Sequence, residues 1–86
     1  MAQNQTYNGW KNRQTWNVSL WINNDESLYN LAREYTLRHH KAGKRARYMP
    51  FVKWARLQGT RTPDNIAFDG SRLDYKELSD MLNEIA

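Results

Sequence analysis

Residues 15–22 read TWNVSLWI, and the period assigned to them decides whether the fold is mixed or all-helical. In steps of two, Trp16, Val18, Leu20 and Ile22 alternate with Thr15, Asn17 and Ser19, the pattern of a half-buried strand written in strand-favouring residues. Wound as a helix, Trp16 pairs with Leu20, and Val18 with Trp21 and Ile22, leaving Asn17 and Ser19 as a polar side. Asn12 then supplies the amino-terminal cap. A strand needs a partner, and no other stretch of the chain has comparable strand character. Residues 13–22 are therefore expected to be helical, with a short strand as the alternative.

Working outward, DESLYNLAREYTLRHH (residues 25–40) predicts a helix over 24–41. Asn23 or Asn24 can cap it, while Asp25 and Glu26 complement the positive end of its dipole. Leu28, Leu31, Ala32 and Tyr35 form its apolar stripe, Glu34 and Arg38 an exposed pair four residues apart, and Gly43 its stop. A third helix is expected over 50–58, with Pro50 as its first residue. Phe51, Val52, Trp54, Ala55 and Leu57 cover more than one face of it, so a single core stripe cannot hide them all. The fourth, over 74–85, carries Asp74 as cap, Glu77 to close a capping box, and Leu73 with Leu78 as the hydrophobic staple. Tyr75, Leu78, Met81, Leu82 and Ile85 share one of its faces. Residues 59–73 are turn-rich, with Pro63-Asp64-Asn65 and Asp69-Gly70 as turns and Ile66 and Phe68 as anchors. The expected architecture is an all-α, compact bundle of about four helices forming one domain over 8–86. Residues 1–7 read as a disordered leader, with neither the basic start nor the apolar block of a signal peptide.

Composition narrows the chemistry. The chain has no cysteine, which removes disulfides, thiolate nucleophiles and cysteine-based zinc sites and suits a cytoplasmic protein. No apolar run approaches the roughly 20 residues of a membrane span. His39 and His40 are the only histidines, and neighbours on a helix point about 100° apart, so they do not chelate one ion unaided. Gly43-Lys44 lacks the upstream glycine and the following Ser/Thr of a phosphate loop. The carboxyl-terminal carboxylates read as caps and solvated faces, and no nucleophile–base pair is visible. The expectation is a protein that is not an enzyme and uses no metal or cofactor.

Charge is more informative. Residues 35–61 hold Arg38, Lys41, Lys44, Arg45, Arg47, Lys53, Arg56 and Arg61 and no acid. Residues 62–86 hold six acids against Arg72 and Lys76. A basic stretch interleaved with Tyr48, Phe51 and Trp54 can meet phosphates and stack bases. Lys41, Lys44, Arg45, Arg47, Lys53 and Arg56 are the candidate nucleic-acid contacts; the competing expectation is that they pair with the acidic final helix. Trp10, Trp16 and Trp21 are expected to build the core, with Asn12, Gln14, Thr15, Asn17 and the Asn23-Asn24-Asp25 corner as indole acceptors and caps. Trp21 and Trp54 fall off their helices' main stripes and are the candidate interface anchors.

Trp10, Asn12, Thr15 to Val18, Leu20 to Ile22 and Asn24 to Tyr29 spell W-x-N-x-x-T-W-N-V-x-L-W-I-x-N-D-x-x-L-Y. The string resembles a family of small uncharacterised proteins from bacteriophages and bacteria, and TPDNIAFDGSRLDYKELSDML (residues 62–82) is similar to the way such proteins end. The basic middle lies outside the resemblance. It implies a phage or bacterial origin and an intracellular role, and no activity. Two functions are expected: a non-enzymatic accessory module whose basic surface touches nucleic acid or a nucleoprotein, or a protein-binding modulator of a host enzyme or defence complex. A self-associating domain is the third.

Overall fold

A computed structural model describes residues 7–86 and places TWNVSLWI entirely within a helix. Four helices follow one another: α1 (Arg13–Asn24), α2 (Glu26–Lys41), α3 (Tyr48–Trp54) and α4 (Tyr75–Ile85). Among the described residues the only β pairing is two isolated bridges, Tyr7 with Trp10 and Arg61 with Ala67. The all-α bundle is the fold, and the strand alternative for residues 13–22 is excluded.

α1 is rotated relative to expectation: Val18 and Ile22 face inward as expected, but their neighbours on that face differ. Its Asn12 cap is in place, with Oδ1 accepting from the Thr15 amide at 2.8 Å. The face turned inward, however, is Thr15, Asn17, Val18, Ser19 and Ile22, while Trp16, Leu20 and Trp21 are only half-buried. The residues assigned to a polar side line the interior. They are admitted there because each buried polar group is spent: Ser19 donates to the Trp16 carbonyl, and Asn17 and Thr15 bond to the far end of the chain.

A single residue, Asp25, joins α1 to α2. It ends α1 by donating its amide to the Trp21 carbonyl and starts α2 by accepting from the Leu28 amide at 3.0 Å. The cap of α2 is therefore Asp25, not Asn23 or Asn24; α1 runs through both asparagines, and Asn23 donates back to the Ser19 carbonyl. α2 stops as expected. Gly43, at φ +72°, lets its own amide and that of Lys44 reach back to the carbonyls of His40 and His39.

α3 starts two residues before the expected Pro50. The proline sits in the first turn, where its missing N–H leaves no helical bond unmade. Arg47 caps without its side chain, and the Tyr48 amide instead donates to Ser79 Oγ of α4 at 2.9 Å. α3 then closes at Trp54, short of the expected residue 58.

α4 packs against all three other helices, and its Leu78, Met81 and Leu82 are buried. Around them gather Val18, Ile22, Ala32, Tyr35, Ala46, Tyr48, Phe51, Val52, Phe68 and Leu73. No tryptophan belongs to this core. Trp10 packs on its edge, and Trp16 and Trp21 are half-buried outside it, so the expectation that indoles build the interior is corrected. A small domain fills its centre with Tyr48, Phe51 and aliphatic side chains and uses the wider indoles as a rim. Tyr7, assigned to the disordered leader, pairs with Trp10 across an Asn8-Gly9 turn in which both residues have positive φ. Its ring meets Trp16 at 5.0 Å. The rest of that leader lies outside the described residues.

Candidate nucleic-acid interface

The amides of the opening motif are not indole acceptors; they tie residues 62–77 to α1. Asn12 Nδ2 donates to the Arg72 carbonyl, Thr15 Oγ1 accepts from the Asp74 amide, and the Lys11 amide donates to Glu77 Oε1. The capping box at α4 is consequently half made. Asp74 accepts from the Glu77 amide at 3.0 Å, but Glu77's carboxylate serves Lys11 and the Asp74 amide goes to Thr15. Asn17 is 1% exposed. Its Nδ2 donates to Asp64 Oδ2 at 2.8 Å, and its Oδ1 accepts from Thr62 Oγ1 at 2.7 Å. The Trp21 indole donates to the same Asp64 oxygen at 2.9 Å. Those two donors, Asn17 first, hold the Asp64 carboxyl below its ordinary range. Trp21 is thus an anchor of the loop, half-buried with its indole N–H already engaged.

Trp54 is the exposed indole, 38% accessible. Tyr35 lies against it with ring centroids 5.4 Å apart, and the Arg38 guanidinium sits over the ring at 5.9 Å from its centroid. Arg38 is steered there by its ion pair with Glu34, the expected one-turn pair, at 2.7 Å. Lys53 and Arg56 flank Trp54 along the chain, Lys41 lies one turn beyond Arg38 on α2, and all three are exposed.

Arg56 carries a conformational cost. It occupies the left-handed region at φ +60° just past the end of α3, where its amide reaches the Lys53 carbonyl and the Leu57 amide the Val52 carbonyl. Glycine normally fills that position. Arg56→Gly is expected to raise the unfolding free energy by about 1 kcal/mol in urea denaturation while removing a cation beside Trp54. A loss of stability instead would mean that the arginine side chain holds the turn.

The remaining cations lie on an extended segment, residues 44–47, between α2 and α3. Ala46 is its buried member, and one side chain clips it. Asn83 of α4 accepts the Ala46 amide at 2.9 Å and donates to the Ala46 carbonyl at 2.8 Å. Period-2 geometry then sends Arg45 and Arg47 outward, and both are exposed. His40 Nε2 also meets Asn83 Oδ1, whereas His39 turns its Nδ1 to the Tyr35 carbonyl. The adjacent histidines serve two different places.

Among the described residues the ion pairs are Glu34–Arg38, Asp80–Arg45 and Asp80–Lys76. Of the six candidate contacts, Arg45 pairs with Asp80 of the final helix, as the competing expectation had it at that one position. Lys41, Lys44, Arg47, Lys53 and Arg56 form no ion pair. Lys76 holds Asp80's carboxyl below its ordinary range, with Arg45 adding a smaller pull. Sequence alone missed Asn83 and Ser79. Their one signal was two hydrogen-bonding side chains four residues apart on α4.

Trp10 and Tyr29 line an open groove of about 540 Å³, with Met81 and Ile85 and a rim of Glu77, Asp80 and Glu84. No helix of the described residues is long and apolar enough to cross a membrane. A family model, described as a family of unknown function, matches residues 3–86. No curated protein and no solved structure matches the chain.

Proposed function

Since the chain belongs to that family, DUF7249, whose function is unknown, we propose its role from its own side chains: a non-enzymatic accessory protein that holds single-stranded nucleic acid on the basic surface of residues 38–61. The observation that carries this is Trp54, an exposed ring backed by Tyr35, crossed by Arg38 and flanked by the unpaired Lys53 and Arg56. A base stacks on such a ring whatever its identity, and the lysines and arginines meet the phosphates, so binding is sequence-tolerant and salt-dependent. A phage or bacterial origin and a cytoplasmic setting belong to the same proposal and rest on the motif of residues 10–29.

Fluorescence anisotropy with unphosphorylated single- and double-stranded DNA and RNA at two salt concentrations tests it. Single strands should bind tighter than duplexes, and affinity should fall by roughly tenfold or more as salt rises from 50 to 200 mM, given three to five phosphate contacts. Trp54→Ala should weaken binding by about tenfold with little change in stability. Absence of binding at low salt would defeat the proposal. The second reading, a protein-binding modulator of a host enzyme or defence complex, is favoured by the Trp10–Tyr29 groove. Capture from nuclease-treated bacterial lysate that is lost in Trp10→Ala and kept in Trp54→Ala would support it over the first.

A further inference from the structure

We infer that the groove between the extended segment and α4 is a seat for one nucleotide, with its phosphate held by Arg47 and Lys76 and its ring laid against Tyr75 and Met49. The groove encloses about 730 Å³ and is lined by Arg45, Arg47, Lys76 and Asp80 together with Met49, Pro50, Tyr75 and Ser79, a size and a mixed lining that suit a small planar anion. Three cations face one carboxylate. Asp80 is shared between Arg45 and Lys76, leaving Arg47 outside any ion pair among the described residues.

The polar groups divide into those already used and those still free. Tyr75's hydroxyl donates to the Gly70 carbonyl at 2.7 Å, and its ring stacks on the buried Tyr48 at 5.9 Å and 20°. That phenol is a fixed surface with no donor to spare. Ser79 Oγ accepts from the Tyr48 amide, which leaves its own hydroxyl proton for a ligand oxygen. Arg47 supplies a planar fork of donors, and Lys76 a mobile point charge. An apolar ring on one side with anion donors on the other fits a phosphorylated aromatic body better than inorganic phosphate alone. The same chemistry is offered by a free mononucleotide and by the phosphorylated end of a strand.

The ligand class rests on the nucleic-acid proposal, but the residues do not, so the two fail separately. The experiment is titration of isotope-labelled protein with adenosine and uridine monophosphates and with inorganic phosphate, followed by amide shifts. Nucleotides should move the amides of Arg47, Lys76 and Ser79 and bind more tightly than phosphate. Arg47→Ala, at an exposed position whose side chain caps nothing, should weaken them by about tenfold. Asp80→Asn should tighten them several-fold, because it removes the one carboxylate that competes with the ligand. Trp54→Ala should leave mononucleotide affinity unchanged while it weakens binding of unphosphorylated strands by about tenfold. A 5′-phosphorylated oligonucleotide that outbinds its 5′-hydroxyl twin upholds the site and assigns it to strand ends; equal binding upholds it for free nucleotide. Silent groove amides at millimolar nucleotide, or weaker binding in Asp80→Asn, would overturn the inference.

Discussion

Asn17→Ala is expected to lower the unfolding free energy by about 3 kcal/mol, a large share of the 5–15 kcal/mol typical of a domain. The side chain is buried and makes two long-range bonds, one of them to a carboxylate. Alanine leaves Thr62 Oγ1 without its acceptor in a position only 4% exposed, and an unmade buried bond costs more than a made one contributes. The loss should spread beyond one contact. Thr62 also closes the turn of residues 62–66, where its hydroxyl accepts from the Ile66 amide and its carbonyl from Asn65. Urea denaturation of Asn17→Ala, Thr62→Val and the double variant forms the check. Because both groups belong to one network, the double variant should cost clearly less than the two single losses added. Strict additivity would show that the network is incidental.

Acid dependence of the same network has a definite sign. Asp64's carboxyl lies below its ordinary value in the folded chain, through the Asn17 amide and then the Trp21 indole. A depressed folded value means that the carboxylate's contribution is complete above the unfolded value and disappears as the pH falls through the folded one. Stability of the parent should thus decline in the acid limb below the ordinary carboxylate range. The Asn17→Ala variant should decline less there, since it has already lost the first of the two donors.

Much of the fold could be read from the chain because caps and stops act locally. Asn12, Gly43 and Asp74 act within one turn of themselves, so their roles are visible in a short window. What was misread depended on partners far along the sequence. Glu77 looks like a capping-box residue until Lys11, 66 positions away, claims its carboxylate. Asn17 and Ser19 look solvent-facing by hydropathy, because periodicity ranks side chains by polarity and cannot see that Asp64 and Thr62 will satisfy Asn17. The same blindness promoted the tryptophans to the core. Their width favours the rim of a small domain, where Trp21 keeps its N–H on a surface carboxylate. The resemblance was carried by residues 10–29 and 62–82, and these bonds give the pairing a physical reason: Asn12, Thr15 and Asn17 in the first segment clasp Arg72, Asp74 and Asp64 in the second. The basic segment between them takes no part in that clasp, and its Lys41, Lys44, Arg47, Lys53 and Arg56 stay outside any ion pair among the described residues.

Asn83→Ala is the second large effect, about 3 kcal/mol, and the one that joins stability to the proposed site. Asn83 bonds the amide and the carbonyl of buried Ala46, the ring of His40 and the Ser79 carbonyl of its own helix. Truncation leaves both backbone groups of Ala46 unpaired, although neither α2 nor α3 loses an internal bond. The extended segment should therefore loosen first. Hydrogen exchange is expected to show the Ala46 amide losing protection in Asn83→Ala while the amides of Leu78 and Leu82 keep theirs relative to the lowered global stability. Asn83→Asp separates the two halves of the clip: it retains the acceptor for the Ala46 amide and loses the donor to its carbonyl, so an intermediate loss should follow. Arg45 and Arg47 stand on either side of Ala46 and owe their outward direction to it. Where the clip is cut, mononucleotide affinity at the groove should fall, although no residue touching the nucleotide has been changed. An unchanged Ala46 exchange rate would show that the segment is held by its neighbours alone and that Asn83 only decorates it.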